Sequence, residues 1–358
     1  MLTEKSSFIF FFTNNLRIIV FKKLTAVAAI LTVGILAVPA SAASFSINEP
    51  LSTPGALDSS WTVSGINFTP SIVTNAGDTP ENAMRLTDTG TSKSGFVLYN
   101  TPISTNKGID VTFQQAQWGG TGADGIVFFV KDATNTSNIP GSTGGALGYS
   151  PGGDIEGLPG ALLGIGLDSY GSFGSAGGTG CDSTFTGSNG GGEVNAVTLR
   201  GPGNGFAGYC LLANSYLLVQ NGKLPLIDGF ASRQEADRKV RVVIDAATKT
   251  DPKVTVYYQD EQIIQVALPE AFSNIANVKI GFSAGTGGAT NNHDVWGLTS
   301  QAADPIEEEP VEEPVDNGNT DEELAATGAS SEMLWTGFAA SLMLMTAGVY
   351  AVRRSRKN

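Results

Sequence analysis

Gly122-Ala123-Asp124-Gly125-Ile126-Val127-Phe128-Phe129-Val130 is the stretch on which the reading of this chain turns. It opens as a Gly-rich loop and runs on as an apolar segment of strand length. A carboxylate, Asp124, stands at the junction, where it can point out of the end of a sheet.

The same texture extends outward. From Phe45 to about Ser300 short apolar runs alternate with Gly, Asn, Asp, Ser and Thr. The runs are Trp61 to Phe68, Gly95 to Tyr99, Ile109 to Trp118, Gly125 to Val130, Leu162 to Asp168, Tyr209 to Val219, Lys239 to Ala246, Lys253 to Gln259, Gln262 to Ala267, Val278 to Ala284 and Asp294 to Thr299. Several carry β-branched and aromatic residues in partial alternation, and Gln259-Asp260-Glu261 reads as a tight hairpin. Ala231 to Lys239 reads as one short helix, and Gly174 to Gly205 as a long loop inside the domain. Many strands at short spacing in a chain of 358 residues predict an all-β fold, a two-sheet sandwich of the jelly-roll kind over 43–303.

The flanks read differently. Residues 1–42 have the order of an export signal: Lys22 and Lys23, the apolar Leu24 to Leu36, then Ala40-Ser41-Ala42 as a cleavage site. Phe8 to Phe12 make this signal long. Residues 304–323 (DPIEEEPVEEPVDNGNTDEE) have no core-forming pattern and read as a disordered, solvated acidic stalk. Leu324-Ala325-Ala326-Thr327-Gly328 follows, then an apolar run over 333–352 of membrane-spanning length, then the basic tail 353–358 with Arg353, Arg354, Arg356 and Lys357. This three-part order resembles a sortase sorting signal of the LAxTG type. The resemblance implies cleavage between Thr327 and Gly328, sortase as a transient partner and peptidoglycan as the final attachment. The expected location is the bacterial cell wall or surface.

Net charge is -13, with many of the acids in the stalk, so nucleic acid is not an expected partner. One histidine, His293, rules out a multi-His metal site. Cys181 and Cys210 in an exported chain point to one disulfide, the alternative being two partly buried thiols. His293 beside Asp294 reads as structural, since neighbouring strand residues face opposite ways. Trp118 and Trp296 read as core. No E-x-D-x-x-E strand of the laminarinase type occurs in the β region, and Glu235-Ala236-Asp237 lacks a third carboxylate. An enzyme is therefore not expected.

Four segments together resemble the L-type (legume-type) lectins, in that family's chain order. They are GADGIVFFV at 122–130, GSTGGALG at 141–148, LGIGLDSYGS at 163–172 and VKIGFSAGTGGATNNHDVWGL at 278–298. The resemblance implies a concanavalin A-like sandwich that binds carbohydrate. Asp124 would accept hydrogen bonds from sugar hydroxyls, Gly145 or else Gly144 would give a backbone N–H, and Tyr170 and Ser172 would complete the sugar site. The family commonly has a cis peptide before the loop aspartate, here Ala123-Asp124. A calcium ion would be held by Asp168, the Tyr170 carbonyl and Ser172, with Asp182 the nearest candidate for a second acidic ligand. Ser172 stands where the family has Asn, and Gly166 where it has the transition-metal glutamate, so no second metal is implied. The expected function is a wall-anchored, calcium-assisted adhesin for a glycan or polysaccharide. The alternative is a structural or self-associating surface module. Asp124 also has a plainer reading as an ordinary turn aspartate.

Overall fold

The computed structural model describes residues 45–303 apart from 56, 176, 182–194, 216–221, 223–224 and 227–231. The expected export signal, the stalk, the Thr327–Gly328 motif, the apolar span, the basic tail and Asp182 lie outside the described residues. Among the described residues no helix is long and apolar enough to cross a membrane.

Two antiparallel sheets make a β-sandwich, as the strand pattern predicted. The first sheet runs, in spatial order, Glu261–Ala267, Lys253–Tyr258, Arg238–Ile244, Ile109–Trp118, Asn292–Gln301, Asn82–Thr87 and Ser71–Thr74, with Ser46–Glu49 also paired to Asn292–Gln301. The second runs Ala207–Gly208, Gly203–Asn204, Ala161–Asp168, Gly125–Asp132, Asn277–Thr286, Lys93–Tyr99 and Trp61–Ile66. Ala196–Arg200 pairs with Ala161–Asp168 on one side and Leu211–Asn214 on the other. The turn between Lys253–Tyr258 and Glu261–Ala267 has positive φ at both Gln259 and Asp260, the hand a two-residue hairpin needs.

Alternation along the strands builds the core. Ile126, Phe128 and Val130 meet Val111, Phe113, Val240 and Val256 of the opposite sheet in one buried cluster. The Phe113 ring lies 4.8 Å from Phe282 and 5.8 Å from Phe128, centroid to centroid. Truncating a buried phenylalanine of this kind costs about 3–5 kcal/mol.

The odd-numbered residues of the same strand are buried too. Val127 and Phe129 join Phe96 and Leu98 on the outer face of the second sheet, beneath Leu147, Tyr149, Leu158, Phe173 and Tyr209. That face is roofed by loops, which explains why the 125–130 run is apolar without a break. The strand Ala161–Asp168 solves the same problem differently. Leu163, Ile165 and Leu167 face the core, while Gly164 and Gly166 face the roof. A Cβ on Gly164 would lie 2.9 Å from the Tyr149 ring, and one on Gly166 would lie 2.2 Å from the Phe173 ring. The alternating glycines seat the two aromatic rings.

Three local expectations are corrected. The helix expected over Ala231 to Lys239 is a turn over 232–236 followed by strand from Arg238, whose pairing with Gln115 pulls it into the first sheet. The long loop of 174–205 contains the strand Ala196–Arg200, because Val197 and Leu199 are buried in the core opposite Leu167 and Ile165. The strand expected from Tyr209 starts at Leu211; Tyr209 has a φ of 58° and turns its ring into the roof cluster.

Candidate functional site

Strand register brings distant residues to one end of the second sheet. Gly125 pairs with Asp168 on one neighbour and with Gly285 on the other. Asp124, Asp168 and the segment 285–287 therefore meet at three adjacent strand ends. The loop 141–148 is laid over them by Leu147, which is fully buried in the roof cluster. Gly285 lets that loop come close: a Cβ there would lie 2.4 Å from the Gly144 carbonyl oxygen.

The Asp124 backbone is fixed on both sides. The Ala123-Asp124 bond is cis. The Asp124 N–H donates to the Gly285 carbonyl at 3.2 Å, and its carbonyl accepts from the Ser169 and Tyr170 N–H groups at 3.0 and 3.2 Å and from Ser169 Oγ at 2.9 Å. The side chain differs. Asp124 is 5% exposed, yet Oδ2 is buried with no hydrogen-bond partner. A Cβ built on Gly287 would lie 3.1 Å from that oxygen, and one on Gly144 would lie 4.0 Å away. Two glycines thus flank an acceptor that has no donor. Burial pushes the Asp124 carboxyl up to about 6, with the Gly287 amide pulling the other way. That amide acts electrostatically without reaching hydrogen-bond geometry at Oδ2.

Around the notch, Gly144 lies by Asp124, whereas Gly145 lies against Ser172, where a Cβ would stand 2.2 Å from the Ser172 Cβ. The two glycines that the sequence left interchangeable occupy different places. Tyr170 is 50% exposed beside Asp124 and offers an aromatic face at the rim. The sequence reading missed Gly287 and Gly285 as site residues, although the GTGG run carrying them had been singled out; nothing local tells a strand-end glycine from a site glycine.

Asp168 is engaged by the backbone of its own turn. It is fully buried. Its Oδ1 accepts from the Gly171 N–H at 2.7 Å and its Oδ2 from the Phe173 N–H at 2.8 Å, and the Gly174 amide acts on it electrostatically. Burial pushes its carboxyl up to about 7 against the pull of these amides. The two bonded amides take up about half of a carboxylate's roughly four acceptor positions. Calcium asks for six to eight oxygen ligands, usually with several carboxylates. Among the described residues no group of three or more His, Cys, Asp or Glu side chains is gathered. The described residues Asp168, Tyr170 and Ser172 therefore do not fit a calcium ion held by Asp168.

The other singled-out residues lie elsewhere. Cys181 and Cys210 are joined by a disulfide with Cα atoms 5.3 Å apart. His293 is fully buried between the sheets with Nδ1 2.6 Å from Thr87 Oγ1, and burial pulls it down to about 3. Trp296 is buried on the outer face of the first sheet with Trp118 packed beside it. The Trp118 indole N–H donates to Asp294 Oδ2 at 2.9 Å.

No family model matches the sequence, and no curated protein matches it. Solved structures do. The exoplasmic/lumenal domain of VIP36 in its calcium- and mannose-bound form is 18% identical, covering 72% of this chain and 88% of that one, with a TM-score of 0.43. The metal-free lectin I-B4 of Griffonia simplicifolia is 16% identical over 72% of this chain and 98% of its own, with a TM-score of 0.45. Peanut lectin with a nine-residue peptide is 21% identical over 72% and 98%, with a TM-score of 0.44. At this identity and superposition, neither ligand nor metal transfers from those proteins to this chain.

Proposed function

We propose that this chain is a carbohydrate-binding, lectin-like surface protein whose sugar site is centred on Asp124. The observation that carries the reading is the buried Oδ2 of Asp124, an acceptor without a donor in a notch between Gly144 and Gly287, beside the exposed ring of Tyr170. Buried acceptors in native folds are normally satisfied. One that is not, at a surface notch, is matched by a ligand rich in O–H donors. Adjacent sugar hydroxyls would donate to the carboxylate in charge-assisted bonds, each contributing about 1.5–3 kcal/mol. Backbone amides of the 144–145 turn and of Gly287 would donate to sugar oxygens, which only glycine lets approach so closely. The Tyr170 ring would cover the C–H face of the sugar.

The export signal, the acidic stalk and the LAATG–span–basic tail order support wall anchoring through sortase at Thr327. They complete the proposal as an adhesin displayed outward on a spacer. Glycan-array binding by the full chain, beside Asp124→Asn, tests the site. Loss of binding in a variant that remains folded is the expected result; equal binding, or none by the native chain, overturns it.

A further inference from the structure

The loop that follows Asp168 is held by hydrogen bonds within the chain. Phe173 is its centre. Its own N–H donates to Asp168 Oδ2 at 2.8 Å, and its carbonyl accepts from Arg200 Nε at 2.5 Å. Hydrogen bonds in such a chain polarise one another. Arg200 is 2% exposed, its guanidinium lies 5.2 Å from the Phe173 ring centre, and its Nη1 donates to the Tyr209 carbonyl at 2.6 Å. Tyr209 adjoins Cys210, and the disulfide to Cys181 closes the segment. The Asp168 carboxylate acts electrostatically on Arg200. Arg200 sits opposite Gly164 on Ala161–Asp168, on the same outer face as Gly166. The space a side chain at Gly166 would need is filled by the Phe173 ring.

We propose that Arg200 is the fixed cation that orders the 168–175 loop, so that the site around Asp124 is built without a metal ion. Arg200 is a positioning residue: it reaches Tyr170 and Ser172 only through Phe173 and Asp168. A guanidinium suits the task because its planar fork can reach two carbonyls at once and still stack on a ring. The binding consequence rests on the lectin reading; the ordering of the loop does not.

Thermal unfolding and amide hydrogen exchange of the full chain, with added Ca2+ and with EDTA, test the inference. The unfolding midpoint and the protection of the Gly171, Phe173 and Gly174 amides should be the same in both. Arg200→Met should speed exchange of those three amides by about ten- to a hundredfold, with the sheet amides little changed and no recovery on adding Ca2+. Arg200→Lys, which keeps the charge but loses the fork, should fall between, and it serves if Arg200→Met does not fold. A midpoint that rises with Ca2+ or falls with EDTA, or loop exchange untouched by both substitutions, overturns the inference. Failure of the native chain to bind any glycan counts against the lectin reading alone, because these readouts need no sugar.

Discussion

Two buried aspartates, Asp124 and Asp294, have opposite surroundings. Asp294, on the outer face of the first sheet, is fully buried and fully engaged. Arg85 bonds it through two nitrogens at 2.8 and 2.9 Å, Trp118 donates a third bond, and Arg233 stands 3.9 Å away. Arg233 also pairs with Asp78 at 3.0 Å. Asp124 is almost as buried, but the partners around it are bound to its main chain and Oδ2 has none. Burial alone does not mark a site. A charge that the fold has matched is structural, and one that the fold leaves short of donors is available to a ligand.

The largest test of this contrast is Asp294→Ala. It would leave the partly buried Arg85 without its carboxylate and the Trp118 indole N–H without its acceptor, while Arg233 keeps Asp78; a broken pair of this kind costs about 3 kcal/mol, read as a lower midpoint in denaturant unfolding. Asp124→Asn should do the reverse. Its carboxyl is raised in the folded state, so ionisation weakens the fold: stability falls as pH rises from the unfolded value of 3.8 through about 6, and the penalty is fully present above that. Removing the charge should therefore stabilise the unliganded protein by about 1–3 kcal/mol at pH 8 while glycan binding is lost. Loss of stability at both acid and alkaline pH would show Asp124 to be a structural turn residue.

Gly144→Ala comes next. Gly144 has a φ of 63°, so alanine there costs about 1 kcal/mol of stability, and the methyl group would enter the notch and lower sugar affinity. The pH profile of binding in the native chain sharpens the same point: affinity should fall as pH drops through about 6, and the profile should disappear in Asp124→Asn. The smallest effect on stability belongs to Tyr170→Ala, within about 0.5 kcal/mol because half the side chain is already in water, yet affinity should drop several-fold. An unchanged affinity would remove the aromatic rim from the site.

Much of this was legible in the chain. The alternation in Lys253–Tyr258 and the turn at Gln259 and Asp260 depend on neighbours in sequence, and both were read correctly. So was the strand that starts at Gly125. The strand Ala196–Arg200 was not, because glycine and polar residues on both sides hid a five-residue pattern inside loop-like composition. The helix expected from Ala231 fell to sheet pairing, a tertiary preference that overrides weak local propensity. Asp168 was read as an ion ligand from the family resemblance. In the fold it accepts from the amides of its own turn, and that geometry appears only once Phe173 is packed into the space above Gly166.

The sequence by itself determined the two-sheet class, the hairpin and the place of a carboxylate at the head of the central strand, because side-chain alternation and turn chemistry act between near neighbours. The tertiary structure alone decided which carboxylate oxygen stays without a donor, that Gly287 rather than Gly145 closes on it, and that Arg200 ties down the loop beyond Asp168. Each of these depends on strand register joining residues far apart in the chain, and on whether the last polar atom at a crowded strand end finds a partner.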